Sequence, residues 1–375
     1  MSKKSTYRFD VLDSFRGLCA IFVVVYHLKV TSGFSEYDFF RGSSLFVEFF
    51  FVLSGFVLTH GYAYRSNLGF KNFIISRAFR LFPLHIALLA VFISFEICKW
   101  LMISQFNLNM NNPAFTQDYS PEHIVPNMLL IHAWFDSLNP LSFNTPSWSI
   151  SIEFYMYVFL FLTLLVAIRN RWLLWLIISA VAYTSLWHDI QILTPEALRG
   201  LSCFFAGALC YLIFKTKSFH KIKLRTYPAT FLEIATLITV FYVVQSDIPN
   251  KSIIASLTFL VAILIFVRQE GYLSEILQVN VLNWLGKLSY SVYMVHGAVI
   301  YVATSLVVII NKLLDKDFSS TVGNERFFDF GGTLENNLFI VSILGIVVAC
   351  SWCTYRLIEL PGQKLGKTLI TNNSK

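Results

Sequence analysis

Long apolar runs separated by short polar segments dominate the chain, and the first run contains two residues that a bilayer disfavours. From Ser14 to Leu28 the sequence is apolar enough for a membrane helix, yet it carries Arg16 and His27. An arginine at the centre of a membrane helix costs at least ~2.5–3.5 kcal/mol, so a functional reason for its presence is expected. Eleven residues at about 100° each place Arg16 and His27 on one helix face, roughly 16 Å apart along the axis. That separation is about half the ~30 Å thickness of the hydrocarbon core.

The apolar runs predict ten membrane-spanning helices, which makes the fold class all-α and the protein polytopic. The spans are expected at about 11–29, 44–62, 81–103, 146–168, 172–187, 198–214, 228–244, 253–267, 288–310 and 337–357. Only a short tail follows the tenth span, so we expect a single membrane-embedded domain over residues 1–375 and no second domain. One further apolar patch, residues 128–135, is too short to span and is expected to be re-entrant or interfacial.

The distribution of Lys and Arg predicts the orientation of these helices. Basic clusters occur at the head, after the second, fourth, sixth and eighth spans, and in the tail, whereas the stretch from Gln105 to Thr145 contains no Lys or Arg. The positive-inside rule then places both termini in the cytoplasm. The first apolar run is interrupted by Arg16 and lacks a small-residue cleavage site, so it is expected to remain as a helix and not to be removed as a signal peptide.

Composition supports a membrane protein and argues against several other classes. The chain is 56% hydrophobic and 14% charged, whereas soluble domains are about 25% charged. Its net charge of +7 is accounted for by basic cytoplasmic loops, and no nucleic-acid partner is expected. All six cysteines lie in apolar runs, so no disulfide framework is implied. Cys350 and Cys353 have CxxC spacing without a second ligand pair, which favours helix packing over a metal site.

Five further ionisable residues lie in or beside the predicted spans: Glu48, Arg77, Arg80, Glu153 and His296. Each has a structural interpretation: arginines near helix ends extend their charge to the interface, Glu48 is compatible with an interfacial position, and a lone histidine often packs with a hydrogen bond. Glu153 is the hardest to explain in this way. It lies roughly two turns into an apolar helix, where a carboxylate needs a cationic or hydrogen-bonding partner.

These residues are consistent with a small set of reactions. A cluster of Arg16, Arg77 and Arg80 on the cytoplasmic side suits a phosphate-bearing ligand. A histidine near carboxylates toward the outer side suits a general base that deprotonates a hydroxyl. Together they indicate transfer of a group from a cytoplasmic donor to an acceptor near the outer face. A transporter or flippase of a polar envelope precursor would use similar residues, but no inverted repeat or pair of broken helices is visible.

Six motifs follow one another between residues 10 and 361. They are Asp13 with Arg16 and, ten intervening residues later, His27; Glu48-Phe-Phe-Phe-Val-Leu-Ser54-Gly-Phe; Arg77, Arg80 and Pro83; Trp148-Ser149-Ile-Ser-Ile-Glu153; Ser289, Tyr290, Tyr293 and His296; and Tyr355, Arg356, Glu359 and Pro361. In the order and spacing of these motifs the chain resembles the acyltransferase-3 family of integral membrane O-acyltransferases. It departs from the usual pattern at Glu48, where Asp is commoner, and at Ile150, where Leu is commoner.

The resemblance implies an enzyme of the bacterial inner membrane that moves an acyl group, usually acetyl, from cytoplasmic acyl-CoA to a hydroxyl of a cell-surface or lipid-linked carbohydrate. Acyl-CoA would be a co-substrate, with no permanently bound cofactor. Arg16, Arg77 and Arg80 would bind the donor. His27 would act as the base or as a transient acyl carrier, and Glu48 or Glu153 could orient it in either scheme. The implied catalytic residues are thus His27, Glu48 and Glu153. The implied supporting residues are Asp13, Ser54, Trp148, Ser149, Tyr290, Tyr293 and His296.

Overall fold

A computed structural model describes residues 9–64, 69–106, 113–166, 170–322 and 325–372. These ranges are predominantly helical, with almost no strand. The helices are α1 (Asp10–His27), α2 (Asp38–Arg41), α3 (Phe46–Tyr62), α4 (Phe70–Phe106), α5 (Ile124–Met128), α6 (Ser147–Val166), α7 (Arg171–Trp187), α8 (Pro195–Lys215), α9 (Lys217–Lys221), α10 (Thr226–Gln245), α11 (Lys251–Phe266), α12 (Tyr272–Leu277), α13 (Asn280–Leu314), α14 (Thr333–Thr354) and α15 (Leu360–Asn372). A π-helical segment, Tyr355–Glu359, joins α14 to α15.

Seven helical segments in these ranges are long and apolar enough to cross a membrane. They contain α3, α4, α6, α8, α10, α13, and α14 with its continuation through α15. The helices α7 and α11 are apolar but shorter, and α1 carries Asp10, Asp13 and Arg16 within its 18 residues. The prediction of an all-α, polytopic membrane protein is therefore confirmed. The count of ten spans and the cytoplasmic position of both termini remain predictions.

Helix α4 begins earlier than the predicted third span. It runs without interruption from Phe70 and passes through Pro83, whereas the span was expected to start at residue 81. The basic residues before Leu81 mark the boundary of the apolar run, but arginine and lysine are good helix formers and do not end a helix. As a result, Arg77 and Arg80 lie on a rigid helix that continues directly into the apolar span.

The helices α1 and α13 pack backbone against backbone near Arg16. A Cβ atom on Gly17 would lie 2.7 Å from the backbone nitrogen of Gly286, and a Cβ atom on Gly286 would collide with the carbonyl oxygen of Asp13. Only glycine permits so close an approach at these two positions. The contact places the face of α1 that carries Arg16 and His27 against the tyrosines and the histidine of α13.

The apolar patch at 128–135 does not form a membrane-crossing helix. It consists of the end of α5 followed by turns. Leu130 and Ala133 in its middle are almost fully buried, whereas Leu129 and Phe135 are exposed. Ser151 Oγ on α6 donates to the Leu130 carbonyl oxygen at 2.5 Å, and Thr194 Oγ1 donates to the Ala133 carbonyl oxygen at 2.7 Å. Burial lowers the pKa of His132 to about 3, so this histidine is neutral in the patch.

A small β-hairpin covers the segment that follows His27. Strands β1 (Ser319–Val322) and β2 (Glu325–Phe328) pair antiparallel, with Ser319 opposite Phe328. The backbone nitrogen of Phe328 donates to Lys29, and that of Thr31 donates to Phe328, both at 2.9 Å. The hairpin belongs to the long loop predicted between the last two spans, and it fixes the His27 end of α1.

Candidate active site

Three arginines from two helices line one cavity in the middle of the helix bundle, here called the central cavity. Arg16 comes from α1, and Arg77 and Arg80 come from α4; the cavity holds about 790 Å³ of empty space, including its open part. Helices α3, α6 and α13 complete its wall with Ser54, Ser149, Glu153, Tyr157, Tyr290 and Tyr293. The structure thus brings together the arginines that the sequence placed on separate helices.

The same three arginines also line a second, adjoining cavity, here called the mouth cavity. It has an empty volume of about 930 Å³ and is bordered by Asp13, Lys287, Glu359 and Lys367 in addition to the arginines. Five basic and two acidic side chains give its wall a formal charge of +3. Because the arginines belong to both cavities, they lie at the junction between the charged mouth and the central cavity.

The charged side chains of the central cavity differ in their hydrogen-bond partners. Glu153 accepts hydrogen bonds from Ser54 Oγ at 2.5 Å and from the Tyr157 hydroxyl. Arg77 Nη2 donates to the Tyr62 hydroxyl at 3.1 Å, whereas its Nε atom is buried with no hydrogen-bond partner in the described ranges. Arg16 lies 3.4 Å from the carboxylate of Asp13. Part of the hydrogen-bonding capacity of this cluster is therefore available to an anionic ligand.

Glu48 has a different environment from the one the sequence suggested. Its Oε1 atom accepts hydrogen bonds from Arg199 Nε at 2.8 Å and from Ser252 Oγ at 2.6 Å. The Arg199 guanidinium also stacks 4.9 Å from the Trp148 ring centroid. The sequence analysis does not include Arg199 among the candidate site residues. Its position as the second residue of the predicted sixth span is the feature that could have identified it. Glu48 is thus part of a buried ion pair that joins α3 to α8 and α11.

His27 lies beside a second histidine and not beside a carboxylate. The ring centroids of His27 and His296 are 5.0 Å apart. No hydrogen bond or ion pair within the described ranges joins His27 to Glu48 or Glu153, whose partners are those given above. In this geometry neither carboxylate orients His27 as expected. The packing of α1 on α13 places the His296 imidazole beside His27 instead.

A short series of contacts connects the histidine pair to the central cavity. The Tyr293 ring lies 5.8 Å from the His296 ring, and Tyr293 also lines the cavity. Ser149 Oγ donates a hydrogen bond to the Tyr293 hydroxyl at 2.8 Å. The nearby Tyr290 hydroxyl donates to the Leu81 carbonyl oxygen at 2.6 Å, which ties α13 to α4. Of the predicted supporting residues on α6 and α13, Ser149, Tyr290 and Tyr293 therefore line the cavity, and Tyr293 also contacts His296.

Glu359 is a site residue that the sequence analysis noted only as part of the closing motif. The π-helical segment turns it inward, where its carboxylate accepts hydrogen bonds from Ser291 Oγ at 2.9 Å and from Gln363 Nε2 at 3.0 Å. It borders the mouth cavity beside the arginines. Single π-helical turns of this kind often occur at functional sites. The closing motif was the available signal, but only the structure shows where its carboxylate points.

Comparisons with known proteins identify the family of the chain. Residues 9–356 match the family model of acyltransferase-3, described as an acyltransferase domain. The chain is 24% identical to a Bacillus subtilis (strain 168) protein named "Putative peptidoglycan O-acetyltransferase YrhL", over 95% of this chain and 55% of that protein. It is 31% identical to "Acyltransferase MdmB" of Streptomyces mycarofaciens, over 30% of this chain and 26% of that protein. "Protein 2 in picA locus" of Rhizobium radiobacter is 35% identical, over 27% and 53% of the two chains.

The chain belongs to the acyltransferase-3 family, because the family model covers nearly all of it. It spans about half or less of the length of these curated relatives. No solved structure matches it.

Proposed function

We propose that this protein is a membrane O-acyltransferase that moves an acyl group, with acetyl as the first candidate, from cytoplasmic acyl-CoA to a hydroxyl of an envelope carbohydrate. The observation that carries the proposal is the position of Arg16, Arg77 and Arg80 at the junction of the two cavities. Guanidinium groups recognise phosphates through paired hydrogen bonds. CoA carries several phosphates at one end of a long arm and the reactive thioester at the other.

The dimensions of α1 support this assignment of its two ends. Arg16 and His27 are separated by roughly 16 Å along the helix axis, which is comparable with the length of a pantetheine arm. CoA phosphates held in the mouth cavity would therefore allow the thioester to extend past Tyr293 toward the histidines. Holding donor and acceptor in one place in this way lowers the entropic part of the barrier.

Acyl transfer at His27 is compatible with two schemes. As a base, His27 removes the proton of the acceptor hydroxyl, the hydroxyl oxygen attacks the thioester carbon, the C–S bond breaks and the proton passes to the CoA sulfur. As an acyl carrier, a His27 ring nitrogen first displaces CoA and the hydroxyl then displaces the imidazole. Both schemes require the thioester beside His27, and neither requires a metal ion.

Peptidoglycan is the first acceptor to test, because the relative that aligns over 95% of this chain is named for that substrate. Purified protein would be incubated with radiolabelled acetyl-CoA and soluble peptidoglycan fragments. The comparison would include wild type, His27→Ala, and the matched control His188→Ala, which changes an exposed histidine that follows α7. We expect label on the glycan with wild type and His188→Ala, and none above background with His27→Ala.

The other outcomes would each contradict one part of the proposal. Label on the glycan with all three proteins would remove His27 from the mechanism. Label that stays on CoA with all three would overturn this donor and acceptor, and flux of an envelope precursor across vesicles would then be the measurement to make.

A further inference from the structure

One ring nitrogen of His296 is committed to the protein backbone, which determines the state of the other. His296 Nδ1 lies 3.3 Å from the carbonyl oxygen of Val292, one turn earlier in α13. A backbone carbonyl can only accept a hydrogen bond, so Nδ1 must carry the hydrogen. In the neutral ring Nε2 therefore holds the free lone pair.

Among the described residues, none donates a hydrogen bond to that lone pair. His296 is only 1% exposed, and its Nε2 atom is buried without a hydrogen-bond partner in the part of the chain that the structure describes. Leaving a buried acceptor without a hydrogen bond destabilises the folded state. A donor from a ligand or from water is therefore expected at this atom.

The surroundings of His296 show from which side such a donor can approach. On one side the ring is next to Tyr293. On the outer loop side, Asn144 packs against the next residue of α13: a Cβ atom on Gly297 would lie 2.5 Å from Asn144 Oδ1, and Asn144 Nδ2 donates to the Met294 carbonyl oxygen at 3.1 Å. His27, 5.0 Å away, is only partly buried. The accessible approach therefore runs past His27.

We propose that His296 is a second catalytic residue, whose Nε2 atom binds the acceptor hydroxyl and takes its proton. This inference rests on the proposed acyltransferase function and replaces the scheme in which His27 itself removes the hydroxyl proton. The hydroxyl proton moves to Nε2, the hydroxyl oxygen bonds to the thioester carbon, and the C–S bond breaks. The CoA thiolate takes a proton from one nitrogen of His27 while the other nitrogen accepts the proton of protonated His296. Acyl-CoA and alcohol thus become ester and CoA thiol, and both rings end neutral.

A comparison of two acceptors tests this assignment. A sugar hydroxyl needs a base to attack a thioester, whereas hydroxylamine is nucleophilic without one. For His296→Gln we expect transfer to soluble peptidoglycan fragments to fall by about 10²–10⁴-fold, the usual contribution of a general base. Transfer to hydroxylamine and affinity for acetyl-CoA should stay close to wild type. The matched control is His85→Gln, which changes an equally buried histidine whose Nε2 contacts the Asn127 carbonyl oxygen.

Several results would overturn the assignment. Equal losses with both acceptors at unchanged acetyl-CoA affinity would mean that His296 only supports packing, and unimpaired glycan transfer would mean that it has no role. If His296→Gln does not fold, His296→Asn is measured in the same way. Failure of wild type itself to acylate the glycan would instead contradict the proposed function.

A measurement on wild-type protein does not depend on any variant. Labelling with [15N]histidine should reveal a neutral ring protonated at Nδ1, and its Nε2 signal should shift when the peptidoglycan fragments are added. Absence of that tautomer, or no shift under conditions of measured glycan transfer, would contradict the proposal.

Discussion

The two ends of α1 differ in the kind of side chain that surrounds them. At the Arg16 end, α1 meets arginines, lysines and carboxylates around two adjoining cavities. At the His27 end it meets aromatic rings, a second histidine and a covering hairpin. Many charged groups around open space suit binding of a polyanion, whereas two adjacent imidazole rings among aromatic side chains suit proton transfer. The comparison predicts that changes at one end affect donor binding and changes at the other affect the chemical step.

The largest expected effect comes from His27→Ala. Removing the imidazole from the point of transfer should lower the rate of acyl transfer by at least about 10²–10⁴-fold, with little change in acetyl-CoA affinity. The measurement is single-turnover transfer, accompanied by an isothermal titration with CoA. If His27→Ala lost as much affinity for CoA as an arginine variant such as Arg16→Gln, the two ends of α1 would not differ in function.

Glu48→Ala should lower the stability of the protein without acting directly on donor binding or on the chemical step. Because Arg199 would be left as a partly buried unpaired charge, we expect the free energy of unfolding to fall by about 3–5 kcal/mol. Thermal unfolding in detergent would measure it. The double variant Glu48→Ala/Arg199→Met should recover part of the loss, since it removes both charges. A fully stable but inactive Glu48→Ala protein would instead support the catalytic role predicted from the sequence.

Arg16→Gln should weaken donor binding. Hydrogen bonds to charged groups contribute about 1.5–3 kcal/mol each, so the KM for acetyl-CoA should rise by about 10–100-fold while kcat changes less. Arg225→Gln is the matched control, because Arg225 is exposed and outside both cavities. Unchanged donor dependence would mean that Arg16 serves mainly to pair with Asp13.

Tyr293→Phe should have the smallest effect of the four. The ring that separates the cavity from His296 is kept, and only the hydroxyl that accepts the Ser149 hydrogen bond is lost. A hydrogen bond of this kind contributes about 0.5–1.5 kcal/mol, so transfer should slow by about 2–10-fold at unchanged donor affinity. Steady-state kinetics would measure both. A loss as large as that of His27→Ala would assign the hydroxyl itself a chemical role.

Much of the fold class and part of the site could be predicted from the sequence. Apolar runs of sufficient length identify membrane helices, and the spacing of Arg16 and His27 on one helix is a local property. The early start of α4 is not predictable from the apolar run, because basic residues end the run without opposing helix formation. The inward position of Glu359 was missed because a π-helical turn is not visible in an apolar pattern.

The sequence by itself determined which residues are available: an arginine cluster, buried carboxylates and two histidines on helices of known periodicity. Only the tertiary structure decided their partners. Glu48 pairs with Arg199, Glu153 with Ser54 and Tyr157, and His27 with His296. The reason is that a partner is chosen by which helices touch, and close contacts such as Gly17 on Gly286 join residues that lie far apart in the chain. Local periodicity orients a side chain on its own helix but does not specify what it meets.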